Sequence, residues 1–221
     1  MNRMTNGGPS RRLLLCEGPD DREFFKSLIR VRGLTTFRVR HNGTKENRTG
    51  GNTKFFSGLG AHYEIPGGLR LFDKVLIVSD NDDEPEESFE RVRAQIESYF
   101  GFAPQSPDQA VNGPPFVKIQ MIPANGVPGN LETLCIEAAR SADAMKADYV
   151  DNFAALVQTD RWESISKKGE MWLRSNLAAR CERDPFVTLR NVFTEPRNQF
   201  LIPLEHACFK AISEVLNGFA D

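Results

Sequence analysis

The sequence lacks any long apolar run, and it has few cysteines. No stretch approaches the ~20 apolar residues that span a bilayer, and the first residues hold no apolar signal core. We therefore expect neither a membrane partner nor secretion. The four cysteines form no CxxC pair and have no histidine at metal-binding spacing, which argues against zinc and disulfide frameworks. Free thiols and a cytoplasmic location are the expected outcome.

Several catalytic signatures are absent as well. No GxxxxGK[ST] loop occurs, so the chain has no motif for an internal ATPase. No GxSxG elbow occurs either, which removes the usual sign of a serine hydrolase. The three histidines share no spacing suited to a metal site or a catalytic triad. Any chemistry must therefore come from other side chains.

The sequence does contain enough apolar material for a sizeable core. Its 221 residues are 40% hydrophobic and 26% charged, which is typical of a folded chain. Lys and Arg number 28 and Asp and Glu number 30, so the net charge of −2 excludes a histone-like polycation. Nucleic acid stays open as a partner because the charges are unevenly distributed along the chain.

Apolar strand-like segments alternate with helix-like segments up to about residue 123. Strands are predicted at 12–17, 36–41, 74–80 and 116–123, with helices at 20–32 and 85–100 between them. From residue 131 onward the pattern is helical only, with helices predicted at 131–140, 144–158, 168–181 and 203–219. This order predicts an α/β fold with a mostly parallel sheet flanked by helices and a helical C-terminal extension. The predicted divisions are a loose N-terminus (1–11), an α/β domain (12–140) and a helical extension packed on it (141–221).

Three local predictions depend on single residue types. Asp20 is the predicted N-cap of the first helix, with Glu23 three residues on completing a capping box. The segment 41–60 is rich in Gly, Asn and Thr, which predicts a surface loop that contributes little to the core. The prolines and glycines of 101–115 predict a second loop.

Acidic residues follow three of the predicted strands. Glu17 comes after the first strand, Asp80 and Asp82 after the third, and Glu132 shortly after the fourth. Because ligands bind outside the carboxyl ends of strands in an open α/β sheet, we expect these side chains to converge there. Closely spaced carboxylates repel each other, and a hard divalent cation such as Mg²⁺ (or Mn²⁺) removes that cost. The alternative is structural, since acids in the first turn of a helix are favoured by its dipole.

Two of these acidic segments resemble the motifs of a known family. Glu17-Gly18-Pro19-Asp20-Asp21 resembles the E-G-x-x-D motif of the TOPRIM domain, and Asp80-Asn81-Asp82 resembles its DxD motif. Asn130-Leu131-Glu132 is similar to the third acidic site of the OLD (overcoming lysogenization defect) nuclease branch. The likeness covers about residues 12–139, and the chain also resembles small stand-alone prokaryotic TOPRIM-related proteins of uncharacterised function.

The resemblance implies a TOPRIM-like, Rossmann-like fold and a role for each acid. Glu17 would orient or shuttle a proton in phosphodiester chemistry and would also be able to ligate a metal. Asp80 and Asp82 would hold Mg²⁺, while Asp21 and Glu132 would support a second ion or its waters. Helix capping is the open alternative for Asp21 and Glu132. In many TOPRIM proteins a Gly follows the acidic pair, whereas this chain has Asp83-Glu84-Pro85.

Basic residues are concentrated between residues 30 and 54. This segment has seven Lys or Arg against one acid, Glu46, and its predicted nucleic-acid-binding residues are Arg38, Arg40, Lys45, Arg48 and Lys54. Lys and Arg on a loop suit contacts with phosphates, which carry little sequence information. The alternative is a solvated loop without a binding role.

Together these features predict Mg²⁺-dependent, nuclease-type phosphodiester chemistry on DNA or RNA. A partner ATPase is left open, because the chain has no ATPase motif of its own. Two alternatives stay open at this point. One is a TOPRIM-derived module that binds nucleic acid or a partner without chemistry, which the missing Gly favours. The other is a phosphohydrolase acting on small phosphate esters, since DxD motifs follow strands in other α/β enzymes.

Overall fold

The predicted strands form one sheet. The computed structural model describes residues 11–43, 51–65, 69–70, 72–107 and 109–220. Its strands, in chain order, are β1 (Arg12–Cys16), β2 (Arg38–His41), β3 (Glu64–Ile65), β4 (Leu69–Arg70), β5 (Lys74–Asp80), β6 (Ala110–Val111) and β7 (Phe116–Ile122). The short β3 and β4 pair only with each other, and the remaining five form the main sheet.

The helices cover both faces of the sheet and make up the C-terminal part. They are α1 (Pro19–Val31), α2 (Phe55–His62), α3 (Pro85–Phe100), α4 (Leu131–Ala142), α5 (Ala144–Leu156), α6 (Ile165–Arg180), α7 (Leu189–Thr194) and α8 (Lys210–Ala220). Short 3₁₀ turns at Thr159–Arg161, Pro196–Leu201 and Ala207–Phe209 lie between the later helices.

The main sheet is mostly parallel. Its strand order is β2-β1-β5-β7-β6, and every neighbouring pair is parallel except β6 with β7. The chain therefore moves from β1 to one side to form β2 and then to the other side to form β5. The predicted α/β fold, Rossmann-like and with a helical C-terminal region, is confirmed.

The two central strands are buried on both faces. On one face Leu14 and Leu76 belong to a hydrophobic cluster with α1, α4, α6, α7 and α8. On the other face Leu13 and Val75 pack in a second cluster with α2 and α3. Alternate side chains of each strand thus enter different clusters, which is why the sequence of these strands is continuously apolar. The first cluster includes residues of both the predicted α/β domain (12–140) and the predicted helical extension (141–221).

The prediction of a loop with little core at 41–60 was wrong. The part of that segment that the structure describes begins α2, and the side chains of Phe55 and Leu59 are fully buried against the sheet. The backbone of Phe55 is held by the side chain of Gln95, whose Oε1 accepts its N–H at 2.8 Å. The sequence did not predict this helix because only two of its large apolar side chains, Phe55 and Leu59, face the core. Two such positions are too few to show a helical spacing.

The start of α1 also differs from the prediction. The N-cap is Gly18, not Asp20, and Pro19 occupies the first helical position. The reciprocal capping bond comes from Asp21, whose Oδ2 accepts the Gly18 N–H at 2.8 Å. A Cβ atom at position 18 would lie only 3.0 Å from that oxygen, so glycine permits the close approach. Glu23 instead accepts hydrogen bonds from Arg22 and Lys26.

Several smaller elements, including the β3–β4 pair, went unpredicted. The segment 101–115 contributes β6, a two-residue antiparallel edge strand, and the helical region contains α7. The predicted final helix at 203–219 begins later, at Lys210, after a 3₁₀ turn. The four cysteines form no disulfide. Within the described ranges, none of the helices has the length and apolar character needed to cross a bilayer.

The burial of β5 predicts the stability effect of a matched pair of substitutions. Leu76→Ala should reduce the free energy of unfolding by about 2–5 kcal/mol, because the side chain is completely buried between the sheet and its helices. Leu156→Ala removes the same atoms from an 82% exposed position and should cost less than about 0.5 kcal/mol. Denaturant unfolding of both variants tests this, and equal losses would contradict the assignment of the core.

Candidate functional site

An acidic cleft lies at the carboxyl ends of the parallel strands. Its volume is about 270 Å³, and six acids line it together with Gly18, Pro19, Asn130 and Leu131. The acids are Asp20, Asp21, Asp80, Asp82, Glu132 and Glu170. Four of the five predicted acids are thus brought together at one cleft. The cleft adjoins the ends of β1 and β5, where the connections leave the sheet in opposite directions, which is where open α/β sheets bind ligands.

The fifth predicted acid, Glu17, lies directly beside this cleft. Its Oε1 accepts hydrogen bonds from the hydroxyl of Ser79 and, at 2.9 Å, from the backbone N–H of Asp80. These bonds join the end of β1 to the end of β5. They fix the Glu17 carboxyl group next to the acidic pair on the neighbouring strand.

Asp80 and Asp21 each use one carboxyl oxygen to hold the start of a helix. Oδ1 of Asp80 accepts the N–H of Leu131, the first residue of α4, at 3.1 Å. Oδ2 of Asp21 accepts the Gly18 N–H at the start of α1. Anionic groups are favoured at helix N-termini, so these bonds place both carboxyl groups on the cleft wall. Glu132 lies in the first turn of α4, which Asn130 caps by accepting the Thr133 N–H at 3.1 Å.

The loop Asp80–Asp82 is fastened to the segment that precedes α4. The buried Asn81 donates from Nδ2 to the carbonyl oxygens of Ala124 and Val127, at 2.6 and 2.7 Å. The carbonyl oxygen of Asp82 accepts the Gly129 N–H at 2.6 Å. Gly129 has φ of +134°, a backbone angle that disfavours larger residues. Asp82 itself has φ of +50°, in the left-handed region that Asp tolerates.

Burial and mutual repulsion raise the pKa values of the clustered acids. Burial raises the pKa of Glu17 to about 7, against the hydrogen bonds from Ser79 and Asp80. Burial and the charge of Glu17 raise the pKa of Asp21 to about 8. Burial, followed by the charges of Asp21 and Glu17, raises the pKa of Asp80 well above its ordinary value. The pKa values of Asp82 and Glu132 are also raised, in each case mainly by burial.

Basic side chains act on acids of the cleft, but among the described residues no Lys or Arg forms an ion pair with the five predicted acids. Four cations nevertheless act on Asp82 and Asp20 without forming an ion pair with either. Burial raises the pKa of Asp82, and Arg91 and Lys167 oppose that rise. Burial raises the pKa of Asp20, and Arg190 and Arg174 oppose it. We call Arg91, Lys167, Arg174 and Arg190 the basic rim.

The sequence did not indicate the basic rim or Glu170. These side chains come from α3, α6 and α7, and helix packing brings them to the cleft from distant parts of the chain. Glu170 accepts an ion pair from Lys167 at 2.9 Å, which in the sequence is only an i,i+3 pair typical of an exposed helix. Asp20 was singled out as a cap, but it lines the cleft instead. No sequence pattern marks these positions as part of a site.

Of the predicted basic residues, the structure places Lys54 near the site and Arg38 away from it, because the Arg38 guanidinium lies 5.9 Å from the ring centroid of Phe72, at the amino end of β5. Arg38 and Arg40 are on β2, next to the strand that leads to Glu17, and burial lowers the pKa of Arg40. Lys54 ends a turn that touches the acidic loops: Gly51 N–H donates to the Glu17 carbonyl oxygen at 3.3 Å. In the same turn Asn52 Nδ2 donates to Asp82 Oδ2 at 3.2 Å. Lys45 and Arg48 lie outside the described residues.

The side chains of the cleft are of the type that binds Mg²⁺ or Mn²⁺, but in the described residues they do not form a ready-made metal cage. In the described part of the chain, no three His, Cys, Asp or Glu side chains are placed to enclose a metal ion. Zinc in structural sites needs such a cage, whereas Mg²⁺ is usually held by one or two carboxylates plus waters and phosphates. The cleft supplies hard carboxylate oxygens whose mutual repulsion a cation would relieve.

Comparison with known proteins gives the family. Residues 11–171 match the model of DUF3226, which is described as a protein of unknown function. The chain belongs to the DUF3226 family. A search of curated proteins and a search of solved structures each found no significant match. The DUF3226 region extends from β1 into α6 and includes all the acids of the cleft.

The raised pKa values predict how the DUF3226 fold responds to pH. The folded chain keeps the protons of Glu17 and Asp21 up to about pH 7 and about pH 8, while unfolded carboxyl groups release them near 4.5 and 3.8. Between these limits the folded state binds more protons, so rising pH removes stability. Asp80→Asn takes one negative charge from the cluster. In chelator, its stability relative to wild type should therefore increase from about pH 4.5 to about pH 8.

Denaturant unfolding of wild type and Asp80→Asn across this pH range measures the difference. The pKa values of His41 and His62 are lowered, mainly by burial, and they affect stability in the opposite direction below their ordinary value of 6.5. These histidines are the same in both proteins, so the difference isolates the carboxyl cluster. Asp148→Asn, at an exposed position of α5, is the control. A difference that does not change with pH would contradict the electrostatic account.

Proposed function

We propose that this chain binds Mg²⁺ or Mn²⁺ in the acidic cleft and carries out nuclease-type phosphodiester chemistry on nucleic acid. One observation carries the proposal. Asp21, Asp80, Asp82 and Glu132, which lie far apart in the sequence, line a single cleft at the carboxyl ends of the parallel strands. The resemblance of these acids to the TOPRIM motifs agrees with it, and none of the described residues that line the cleft is a Lys or Arg.

The cleft acids have distinct tasks in this proposal. Asp80 and Asp82 would hold the metal ion, with Asp21 and Glu132 supporting it or its waters. When bound, the ion would stabilise the negative charge that develops on the phosphate oxygens in the reaction. Glu17 holds a different position, because both of its hydrogen bonds come from the end of β5. Its pKa of about 7 lets it take up or release a proton near neutral pH, as a general acid or base must.

The charges around the cleft favour a polyanionic substrate. The basic rim and Lys54 would attract a phosphate backbone, while the acids would repel it unless a cation is present. The turn that ends at Lys54 contacts the backbone of Glu17 and the side chain of Asp82. The basic segment 30–54 therefore ends at the edge of the acidic cleft. The proposal also includes a separate ATPase as a partner protein, because the chain has no ATPase motif of its own.

A second candidate is a binding module without chemistry. Asp80 accepts a backbone N–H at the start of α4 and Asp21 accepts one at the start of α1, and these hydrogen bonds would by themselves account for the two acids as helix-capping residues. In that case the cleft would bind nucleic acid or a protein through its rim, with no turnover. The substitution Asp80→Asn separates the two candidates, because its amide oxygen can still accept the Leu131 N–H but is a poor metal ligand.

The proposal predicts cleavage of short DNA or RNA that requires Mg²⁺ or Mn²⁺. Glu17→Gln and Asp80→Asn should each reduce the rate roughly 10²- to 10⁴-fold without unfolding the protein, because they remove a proton-transfer group and a metal ligand. The exposed acids Glu86 and Asp148 provide matched controls, and Glu86→Gln and Asp148→Asn should keep the wild-type rate. The measurement is gel analysis of labelled oligonucleotides with circular dichroism of each variant.

Three results would contradict the proposal. The first is a wild-type protein that cleaves neither DNA nor RNA with any divalent cation. The second is an Asp80→Asn variant that cleaves as fast as wild type. The third is turnover of a simple phosphomonoester without cleavage of nucleic acid, which would instead support a small-molecule phosphohydrolase. Salt-sensitive binding that persists in chelator without cleavage would favour the binding module.

A further inference from the structure

A second groove runs directly into the acidic cleft. Its volume is about 480 Å³, and Asp20 and Glu132 line both the groove and the cleft. The groove lies between α6 and the segment 185–189, and its floor includes the buried side chains of Leu173 and Leu177. A volume of this size is in the range of pockets that hold small organic ligands. The metal ligands proposed above, Asp80 and Asp82, line the cleft and not this groove.

An exposed aromatic ring stands at the edge of the groove. Phe186 is 88% exposed, although its neighbours Val187 and Leu189 are buried. Its backbone is fixed, because the Phe186 N–H donates to Asp184 Oδ1 at 3.1 Å and the Val187 N–H donates to the Asp184 carbonyl oxygen at 3.0 Å. A ring that projects from a hydrogen-bonded turn and is largely exposed is available to stack on a planar group.

Cations lie beside this platform. Arg174 lines the groove and is exposed, and Arg190 is exposed in the first turn of α7. Both oppose the rise that burial causes in the pKa of Asp20, so both lie near the junction of groove and cleft. The groove therefore combines an apolar floor, an aromatic edge and positive charge. This combination is complementary to a nucleotide, which has a planar base and an anionic phosphate.

We infer that this groove binds one unstacked nucleotide of a single-stranded nucleic acid, with its base against Phe186 and its phosphate near Arg174. The inference rests on the proposed function and makes it more specific. A strand whose phosphate lies at the acidic cleft would place its neighbouring nucleotide in the groove, because the two share Asp20 and Glu132. In a duplex each base is paired and stacked within the helix, so a duplex would leave this groove empty.

The test measures binding apart from cleavage. Fluorescence anisotropy with a labelled single-stranded DNA or RNA 12-mer, and with the matching duplex, gives the affinity in Ca²⁺ and, separately, in EDTA. Phe186→Ala should weaken single-strand binding about 5- to 150-fold, because base stacking on an aromatic side chain is lost. Phe186→Trp should retain affinity to within about twofold, because indole also stacks. Duplex binding should not depend on Phe186.

Control variants are available elsewhere on the surface. Tyr149→Ala removes an exposed aromatic ring from α5, and Arg161→Ala removes an exposed cation, and neither residue lines the groove. Arg174→Ala should weaken binding and reduce its dependence on salt, whereas Arg161→Ala should have little effect on either. Circular dichroism of Phe186→Ala checks that the fold is intact, which the 88% exposure of this side chain leads us to expect.

The outcomes separate this inference from the proposed function. If wild type binds the single strand and Phe186→Ala weakens it, the inference stands even where Mg²⁺ brings no cleavage. If wild type cleaves nucleic acid but Phe186→Ala binds the single strand as tightly as wild type, the inference fails and the proposed function stands. Failure of wild type to bind a single strand in either Ca²⁺ or EDTA also overturns the inference.

Discussion

The loop that follows β5 is hydrogen-bonded to both neighbouring strand ends, and the acidic cleft depends on those bonds. Glu17 accepts from the start of the loop, Asn81 holds the turn after β7, and Asp80 holds the first residue of α4. Parallel strands direct their carboxyl ends to one edge of the sheet, and these bonds help to fix the loops beyond them. The two bonds that Asn81 donates hold the segment that leads into α4, the helix that carries Glu132.

These bonds keep Glu17, Asp80 and the start of α4 close together, although no Lys or Arg in the described part of the chain forms an ion pair with the five predicted acids. Burial is the largest cause of their raised pKa values, and mutual repulsion adds to it for Asp80 and Asp21. A protein that used these acids only as helix caps would be expected to place them where water or a cation could solvate them. A positively charged ligand in the cleft, as proposed, would relieve that repulsion. The basic rim has the opposite task in the proposal, because its charges would attract an anionic substrate.

Much of the fold and most of the acidic site could be predicted from the sequence. The strands β1 and β5 are buried on both faces, so their continuous apolar runs were unambiguous, and acids at parallel strand ends must converge. The remainder depends on contacts that leave no local pattern. Phe55 and Leu59 are too few to mark a helix in a polar segment, and Gly18 caps α1 only because Asp21 reaches back to it. Glu170 and Arg174 reach the site through helix packing alone.

The most direct test of this account is calorimetric titration of the protein with Mg²⁺ and Mn²⁺. The account predicts that wild type binds at least one ion, and that binding disappears when Asp80 and Asp82 are both replaced by Asn. The double variant keeps the side-chain volumes and the oxygen that accepts the Leu131 N–H. If wild type binds neither ion, with or without a short oligonucleotide present to supply phosphates, the acidic cleft is not a metal site and the central claim is contradicted.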